Sequence, residues 1–249
     1  MLKWFRADLH IHTCLSPCCD LSMSPRSIVA EALRLGLGII AITDHNSAAN
    51  VDAVMRAADG SRVSVLPGLE VCTREEVHVV ALFDKPAEAQ NLQREVYDHL
   101  SGQNDPDVIG MQVIANEHDE VEGFEERLLI GAADFSVDEI VQQIHRLGGL
   151  AIAAHIDRES FGIVGQLGFI PPAVRFDALE LSATISDEEA GRRFAEYKQH
   201  QFLRNSDAHS RSQLGRTGTR FLLEQPTCNE LRLALLRVGG RMACPELHA

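Results

Sequence analysis

Short apolar runs and amphipathic stretches take turns along almost the whole chain. Residues 5–11, 38–43, 63–66, 77–83, 150–154, 178–181 and 202–205 form apolar runs of strand length, and 220–223 forms the last. Some, 38–43 above all, are apolar at nearly every position rather than alternating, as expected of parallel strands covered on both faces. The stretches between them carry helix signals. Ser24-Pro25 supplies an N-cap with proline at the first helical position; Ile28, Val29, Ala32, Leu33 and Leu35 make an apolar stripe, and Gly36 ends it. Residues 46–58 and 86–100 read as helices. Ser136 and Glu139 form a capping box for 136–147, whose Val137, Ile140, Val141, Ile144 and Leu147 share one face before Gly148-Gly149. Ser186 with Glu189, and Thr227 with Glu230, open two more helices, the second closing at Gly239-Gly240. This alternation predicts an α/β fold around a mostly parallel sheet.

The rhythm fails only between residues 101 and 134. That segment holds Gly102, Asp105-Pro106 and the acidic stretch 117–122, with 111–115 and 127–130 as short strands or parts of a cap. No repeat or Pro/Gly/Ser-rich linker breaks the 249 residues, so 1–249 reads as one domain with an irregular cap or insertion at 101–134.

Composition narrows the function classes. Hydrophobic residues make up 45% and charged residues 24%, ordinary values for a soluble globular protein. No apolar run has the length of a membrane span or of a signal-peptide core, so the expectation is a cytoplasmic protein with no membrane partner. The net charge of −13 argues against a broad surface for long duplex nucleic acid. It leaves room for a small phosphorylated substrate, because bound cations reverse the field of their own site. The six cysteines include no C-x-x-C pair and read as reduced thiols. Cys14, Cys18 and Cys19 fall close to the first histidines and read as a thiol-bearing loop rather than a soft-metal site. The oligomeric state is not legible.

The chemistry gathers at strand ends. His10 and His12 are two apart on a predicted strand, so both imidazoles face one side, with Asp8 expected on that side below them. Asp44-His45, Glu70, His78, His155 and Asp207 with His209 lie at or near the ends of later strands. In parallel α/β barrels the carboxyl ends of the strands build the active site. Imidazoles and carboxylates without an obligatory thiolate suit Zn, Mn or Fe(II), and the set is large enough for two or three divalent ions. Such ions generate hydroxide at neutral pH and neutralise phosphate oxygens. Arg158, three residues after His155, is the first candidate to clamp a phosphate, ahead of Arg211 and Arg216. His99, His118, His145, His200 and His248 read as surface residues.

Asp8-Leu9-His10-Ile11-His12, Thr43-Asp44-His45, Glu70, His78, Ala154-His155 and Ser206-Asp207-Ala208-His209 resemble, in this order, the motifs of the polymerase and histidinol phosphatase (PHP) domain. The resemblance covers residues 5 to about 215. It implies a distorted seven-stranded (β/α) TIM-like barrel with a di- or trinuclear metal centre. By the same resemblance His10 and His12 are first-strand ligands and Glu70 bridges two ions. His155 and Asp207 complete that pair, and His45, His78 and His209 serve the remaining positions. Asp20, five residues before Pro25, matches a further ligand, although a Cys-rich insertion over 14–19 puts it three residues further from His12 than the pattern expects. Asp44, Arg158 and His209 form the expected catalytic set, with Asp44 orienting a histidine or water. The implied activity is hydrolysis of a small phosphate ester, a nucleotide included, by a hydroxide generated at the metal centre. One alternative is an exonuclease or phosphodiesterase on short nucleic-acid ends, against which the acidic balance and the lack of an aromatic-basic stripe weigh. A second is an amidohydrolase-like C–N hydrolase, for which Lys85 and Lys198 fit no strand end.

Overall fold

The fold is described from a computed structural model, for residues 1–247; His248 lies outside them. In chain order the strands and helices are β1 (Lys3–Ile11), α1 (Pro25–Leu35), β2 (Ile39–Ile42), α2 (Val51–Ala57), β3 (Ser64–Cys72), β4 (His78–Leu82) and α3 (Pro86–His99). They continue with β5 (Val113–Ala115), β6 (Val121–Phe124), α4 (Val137–Arg146), β7 (Leu150–Ala153), α5 (Ile163–Leu167) and β8 (Ala178–Leu181). The last are α6 (Asp187–Arg193), β9 (Phe202–Arg204), β10 (Thr219–Leu223), α7 (Cys228–Leu235) and β11 (Met242–Pro245).

One sheet of nine strands runs in the order β11-β10-β1-β2-β3-β4-β7-β8-β9. Its seven central and distal strands, β1 to β9 in that order, curl into a nearly closed barrel. Past β9 the chain comes back beside β1: the His12 N–H donates to the Ala208 carbonyl (3.1 Å), and the Ala208 N–H donates to the carbonyl of His10 (3.3 Å). Polar side chains seal this seam. Asn205 Oδ1 accepts from the Leu9 N–H, and Asp8 accepts from the N–H and hydroxyl of Ser206 and from the Gly215 N–H. The expected seven-stranded barrel is therefore extended by two strands. β10 pairs antiparallel with the first half of β1, and β11 pairs with β10. Only β10 was signalled by its apolar run.

Two apolar clusters divide the interior. Ala7, Leu66, Val80, Leu82, Leu150, Ile152 and Leu203 fill the space enclosed by the sheet, where Cys228, Leu231 and Ala234 of α7 join them. Ile40, Ile42, Leu69, Val79 and Ala153 pack outward against α1, α2 and α4. Leu9 belongs to the inner set and Ile11 to the outer one, although both are odd-numbered positions of β1. The pairing of β1 with β2 shifts register between Asp8 and Ile11, a β-bulge that reverses the alternation there. This overturns one expectation. Asp8 does not sit beneath His10 and His12 but faces the seam.

Two more departures concern direction and length. β4 runs antiparallel to both β3 and β7, so its first residue, not its last, reaches the carboxyl ends of the parallel strands. The helix expected from residue 46 begins at Val51, because Asn46 and Asn50 use their side chains to fasten the irregular segment. Asn46 Nδ2 donates to the carbonyls of Leu129 and Gly131, and Asn50 bridges Val113 O and the Ala115 N–H. Within that segment β5 and β6 form a hairpin, and β6 comes from the acidic stretch rather than from 127–130.

Candidate metal centre

The parallel strand ends deliver their side chains to one mouth, and β4 adds His78 from its beginning. Glu70, in β3 opposite Val80, is at the centre. Its Oε1 lies 3.2 Å from His10 Nε2, 2.9 Å from His78 Nδ1 and 3.3 Å from His155 Nε2. Its Oε2 lies 2.9 Å from His45 Nδ1 and 3.5 Å from His12 Nε2. Asp207 Oδ1 approaches His10 Nε2 at 3.3 Å and His12 Nε2 at 3.1 Å. His209 shares a group with His12 and His45 in which one nitrogen of each falls within 4.8 Å of the others. Eight of the nine sequence-predicted ligands, His10, His12, His45, Glu70, His78, His155, Asp207 and His209, are thus brought together. Asp20 is not: it is exposed and accepts from the Ser22 N–H in its own turn.

So many buried nitrogens and carboxylate oxygens in mutual contact need a cation. Among the described residues Glu70 Oε2, Asp207 Oδ1, His45 Nδ1, His78 Nδ1 and His155 Nδ1 have no hydrogen-bond partner of acceptable geometry, although all are buried. Unsatisfied buried polar atoms are rare and call for a cause such as an ion. Burial pushes the Glu70 and Asp207 carboxyls up, but the surrounding imidazoles prevail and hold both well below the usual carboxylate range. Both carboxylates are therefore ready to ligate. The residues fit divalent metal ions.

Hydrogen bonds behind the histidines set their tautomers. Ser16 Oγ donates to Asp44 Oδ1 (2.7 Å), so it accepts from His12 Nδ1 (3.0 Å) and leaves His12 Nε2 as a lone pair. Glu180 accepts from His10 Nδ1 at 2.9 Å, and the Asp207 carbonyl accepts from His209 Nδ1 at 2.9 Å. Each bond turns the other ring nitrogen into a ligand. Asp44 is buried, accepting also from the N–H and hydroxyl of Thr13, and acts through Ser16 on His12 rather than facing the mouth. Glu180 and Ser16 were missed in the sequence. Glu180 had a signal, an acid inside the apolar run Ala178–Leu181; Ser16 had none.

Above the cluster opens a cavity of about 310 Å³. Arg158 lines it and donates to Asp207 Oδ2 (2.6 Å) while 43% of its side chain stays exposed. Phe161 forms a wall and stacks on His78 at 4.5 Å between centroids. Ile130 brings the irregular segment to the rim, and Cys18 joins from the loop after β1. Burial opposes a thiolate at Cys18, but hydrogen bonds with His209 and His45 prevail and bring the thiol down to about 7. The loop carrying His155, Arg158 and Phe161 is wound tightly: a Cβ on Gly162 would meet the Arg158 carbonyl at 2.4 Å. His155 (φ 27°), Phe161 (φ 61°) and Asp207 (φ 48°) occupy the left-handed region, a strain of about 1–3 kcal/mol each of the kind functional sites store. Arg211, 3.7 Å from Glu31, and Arg216, bonded to the Ser212 carbonyl, take no part. His99 and His118 are exposed, His200 is half-buried, and His145 pairs with Asp177.

Comparison with known proteins agrees with this geometry. The model of the PHP domain matches residues 8–160, more than half of the chain. This chain belongs to the PHP domain family. Over 80 residues this PHP protein is 34% identical to the 5'-3' exoribonuclease Rnm of Salmonella typhimurium, a stretch covering 30% of this chain and 26% of that protein. Its fold is similar to the lesion-specific endonuclease EndoQ of Pyrococcus furiosus (TM-score 0.74, 22% identity), covering 97% of this chain and 58% of that one. It is also similar to a putative metal-dependent phosphoesterase from Bifidobacterium adolescentis (TM-score 0.62, 20% identity), covering 93% and 96%. The PHP chain thus spans well under two thirds of the first two proteins. It is a metal-dependent phosphoesterase by family, and no helix among its described residues is long and apolar enough to cross a membrane.

Proposed function

We propose that this PHP protein hydrolyses the phosphate ester of a nucleotide or of a short single-stranded nucleic-acid end. The observation that carries this reading is one small cavity holding a cation-demanding cluster, an arginine and an aromatic wall together. At about 310 Å³ it lies at the lower end of small-molecule sites, the size of one nucleotide unit rather than of a duplex. Rnm is called an exoribonuclease and EndoQ a lesion-specific endonuclease, which favours a nucleic-acid component over a phosphorylated metabolite without a base.

His10, His12, Glu70, Asp207, His78, His155, His45 and His209 would hold two or three divalent ions, with Zn, Mn or Fe suited to these donors. When bound, such ions acidify water and neutralise the nonbridging and leaving oxygens of a phosphate ester. The chain's own groups do the rest. Arg158 offers its guanidinium edge to the phosphate from the open side of the cavity, while its bond to Asp207 fixes its position. Phe161 presents a ring face for a base to stack on. Asp44 holds His12 through Ser16, and Glu180 holds His10, so the carboxylate and imidazole atoms stay in place as charge develops. His209, a quarter exposed at the rim with its Nδ1 bonded to the Asp207 carbonyl, has one ring nitrogen left, which suits it to ligation rather than to proton transfer.

Substrate assays of Mn-, Zn- and Fe-loaded enzyme test the reading. Expected is release of phosphate or mononucleotide from nucleotides and short single-stranded oligonucleotides, with base-free phosphomonoesters at least about tenfold poorer in kcat/KM. Equal rates on base-free phosphomonoesters would remove the nucleotide from the proposal, and internal cleavage of duplexes would replace it.

A further inference from the structure

Arg158 is tied to Asp207 at its tip, and the base of so long a side chain needs an anchor of its own. Its backbone closes a tight turn, the Arg158 N–H donating to the His155 carbonyl (3.0 Å). Asp157 lies inside that turn, buried, and spends its carboxylate on the residue after β8: Oδ1 accepts from the Ser182 N–H (2.7 Å) and Oδ2 from the Ser182 hydroxyl (2.5 Å). The Asp157 carbonyl accepts from Arg193 Nη2 (3.1 Å). Ser182 is itself held, its carbonyl accepting from Nη1 of the buried Arg204 (2.8 Å). The end of β8 reaches the turn a second time through Glu180 Oε1, which holds His10 and also accepts from the His155 N–H (3.1 Å). The turn thus has two ends with different tasks, His155 towards the ions and Arg158 towards the substrate, and β8 grips it once near each.

We propose that Asp157 is a positioning residue for the substrate phosphate: by pinning the turn to the end of β8 it sets where the Arg158 guanidinium meets the phosphate oxygens. The proposal rests on the reading of Arg158 as the phosphate clamp. A carboxylate that accepts two hydrogen bonds from one residue fixes both distance and orientation. Without that pin the guanidinium is still present, but its backbone must be ordered each time substrate binds, and the cost falls on binding. Asp157 and Glu180 then serve separable functions. Losing Glu180 disturbs the ligands His10 and His155, whereas losing Asp157 weakens the grip on phosphate and leaves the ions in place.

The test uses the full chain loaded with Mn, with three readouts: nucleotide hydrolysis, calorimetric binding of inorganic phosphate, and metal content. Asp157→Ala should raise both the KM for a nucleotide and the Kd for inorganic phosphate by roughly tenfold, with a smaller fall in kcat and an unchanged metal content. Asp157→Asn, which keeps an acceptor for the Ser182 N–H, should lose less. In an Arg158→Ala background the same Asp157→Ala change should add less than about twofold, because nothing is left to position. Glu159→Gln, which removes an exposed charge from the same loop, should move neither constant. Ser182→Ala removes one of the two bonds and no charge; it should shift both constants the same way by about threefold, and it carries the test where Asp157→Ala does not fold. Equal losses from Asp157→Ala with and without Arg158 would overturn the proposal. So would loss of metal in Asp157→Ala, which would make the residue a support for His155. If Arg158→Ala itself left KM and phosphate affinity unchanged, the reading of Arg158 as the clamp would fall, and the role of Asp157 with it.

Discussion

The two sides of the cluster are built differently. On one side His10, His12 and His209 are each held from behind, by Glu180, by Ser16 backed by Asp44, and by the Asp207 carbonyl. On the other side His155 Nδ1, the nitrogen turned away from Glu70, has no partner of acceptable geometry, and His78, whose Nδ1 faces Glu70, is steadied by the ring of Phe161. Imidazoles fixed by a second hydrogen bond bind ions in one orientation and with greater basicity; unsupported ones bind less tightly. By this difference one barrel mouth would combine a firmly held ion position with a more readily exchanged one.

The comparison can be broken first at its shared residue. Glu70→Gln should lower turnover by about a thousandfold or more, beyond the loss of a single oxyanion donor, and should lower metal content on both sides. Steady-state kinetics with elemental analysis check this, and near-normal turnover would remove Glu70 from the centre. Next come the supports. Glu180→Gln and Asp44→Asn should each cost roughly 10- to 100-fold in rate or metal affinity while the fold persists. An effect under twofold in both would mean that the held side owes nothing to its hydrogen bonds. Phe161→Ala should raise KM for nucleotides by roughly tenfold, leaving base-free phosphate esters unchanged; a uniform drop on all substrates would instead mark the ring as a support for His78. The smallest effect is the most direct. Under increasing chelator, ions should leave in two phases, and Glu180→Gln should bring the later phase towards the earlier one. Release in a single phase from the wild type would erase the distinction between the sides.

Much of this was legible before the structure. The strands were, because a parallel strand covered on both faces must be apolar throughout, and 38–43 and 150–154 are. The convergence of the strand-end histidines and carboxylates on one mouth followed, since the same strands fix where their ends point. Direction was not legible. The run 77–83 has the same composition whether β4 lies parallel or antiparallel, and only the short turn after Cys72 forces the hairpin. Nor was the bulge in β1, because an extra residue in a strand leaves no mark on hydrophobicity, and the face of Asp8 was misjudged for that reason. Asp20 matched a spacing, but spacing across an insertion says nothing of where the loop carries each side chain, and the turn over 14–19 swings Cys18 rather than Asp20 inward. Within 101–134 the hairpin escaped because β6 is mostly exposed, with no buried face to imprint a pattern.

The seam between β1 and the chain after β9 carries one further consequence. It joins positions about two hundred residues apart through two backbone hydrogen bonds and a few polar side chains. Ions shared by His10, His12 and Asp207 would span that join as a reversible staple. Cross-linking a loop of that length is worth on the order of 5 kcal/mol in chain entropy. Chemistry and closure of the barrel would then depend on the same few atoms, and a protein that loses its ions would begin to open where its first strand meets the chain after β9.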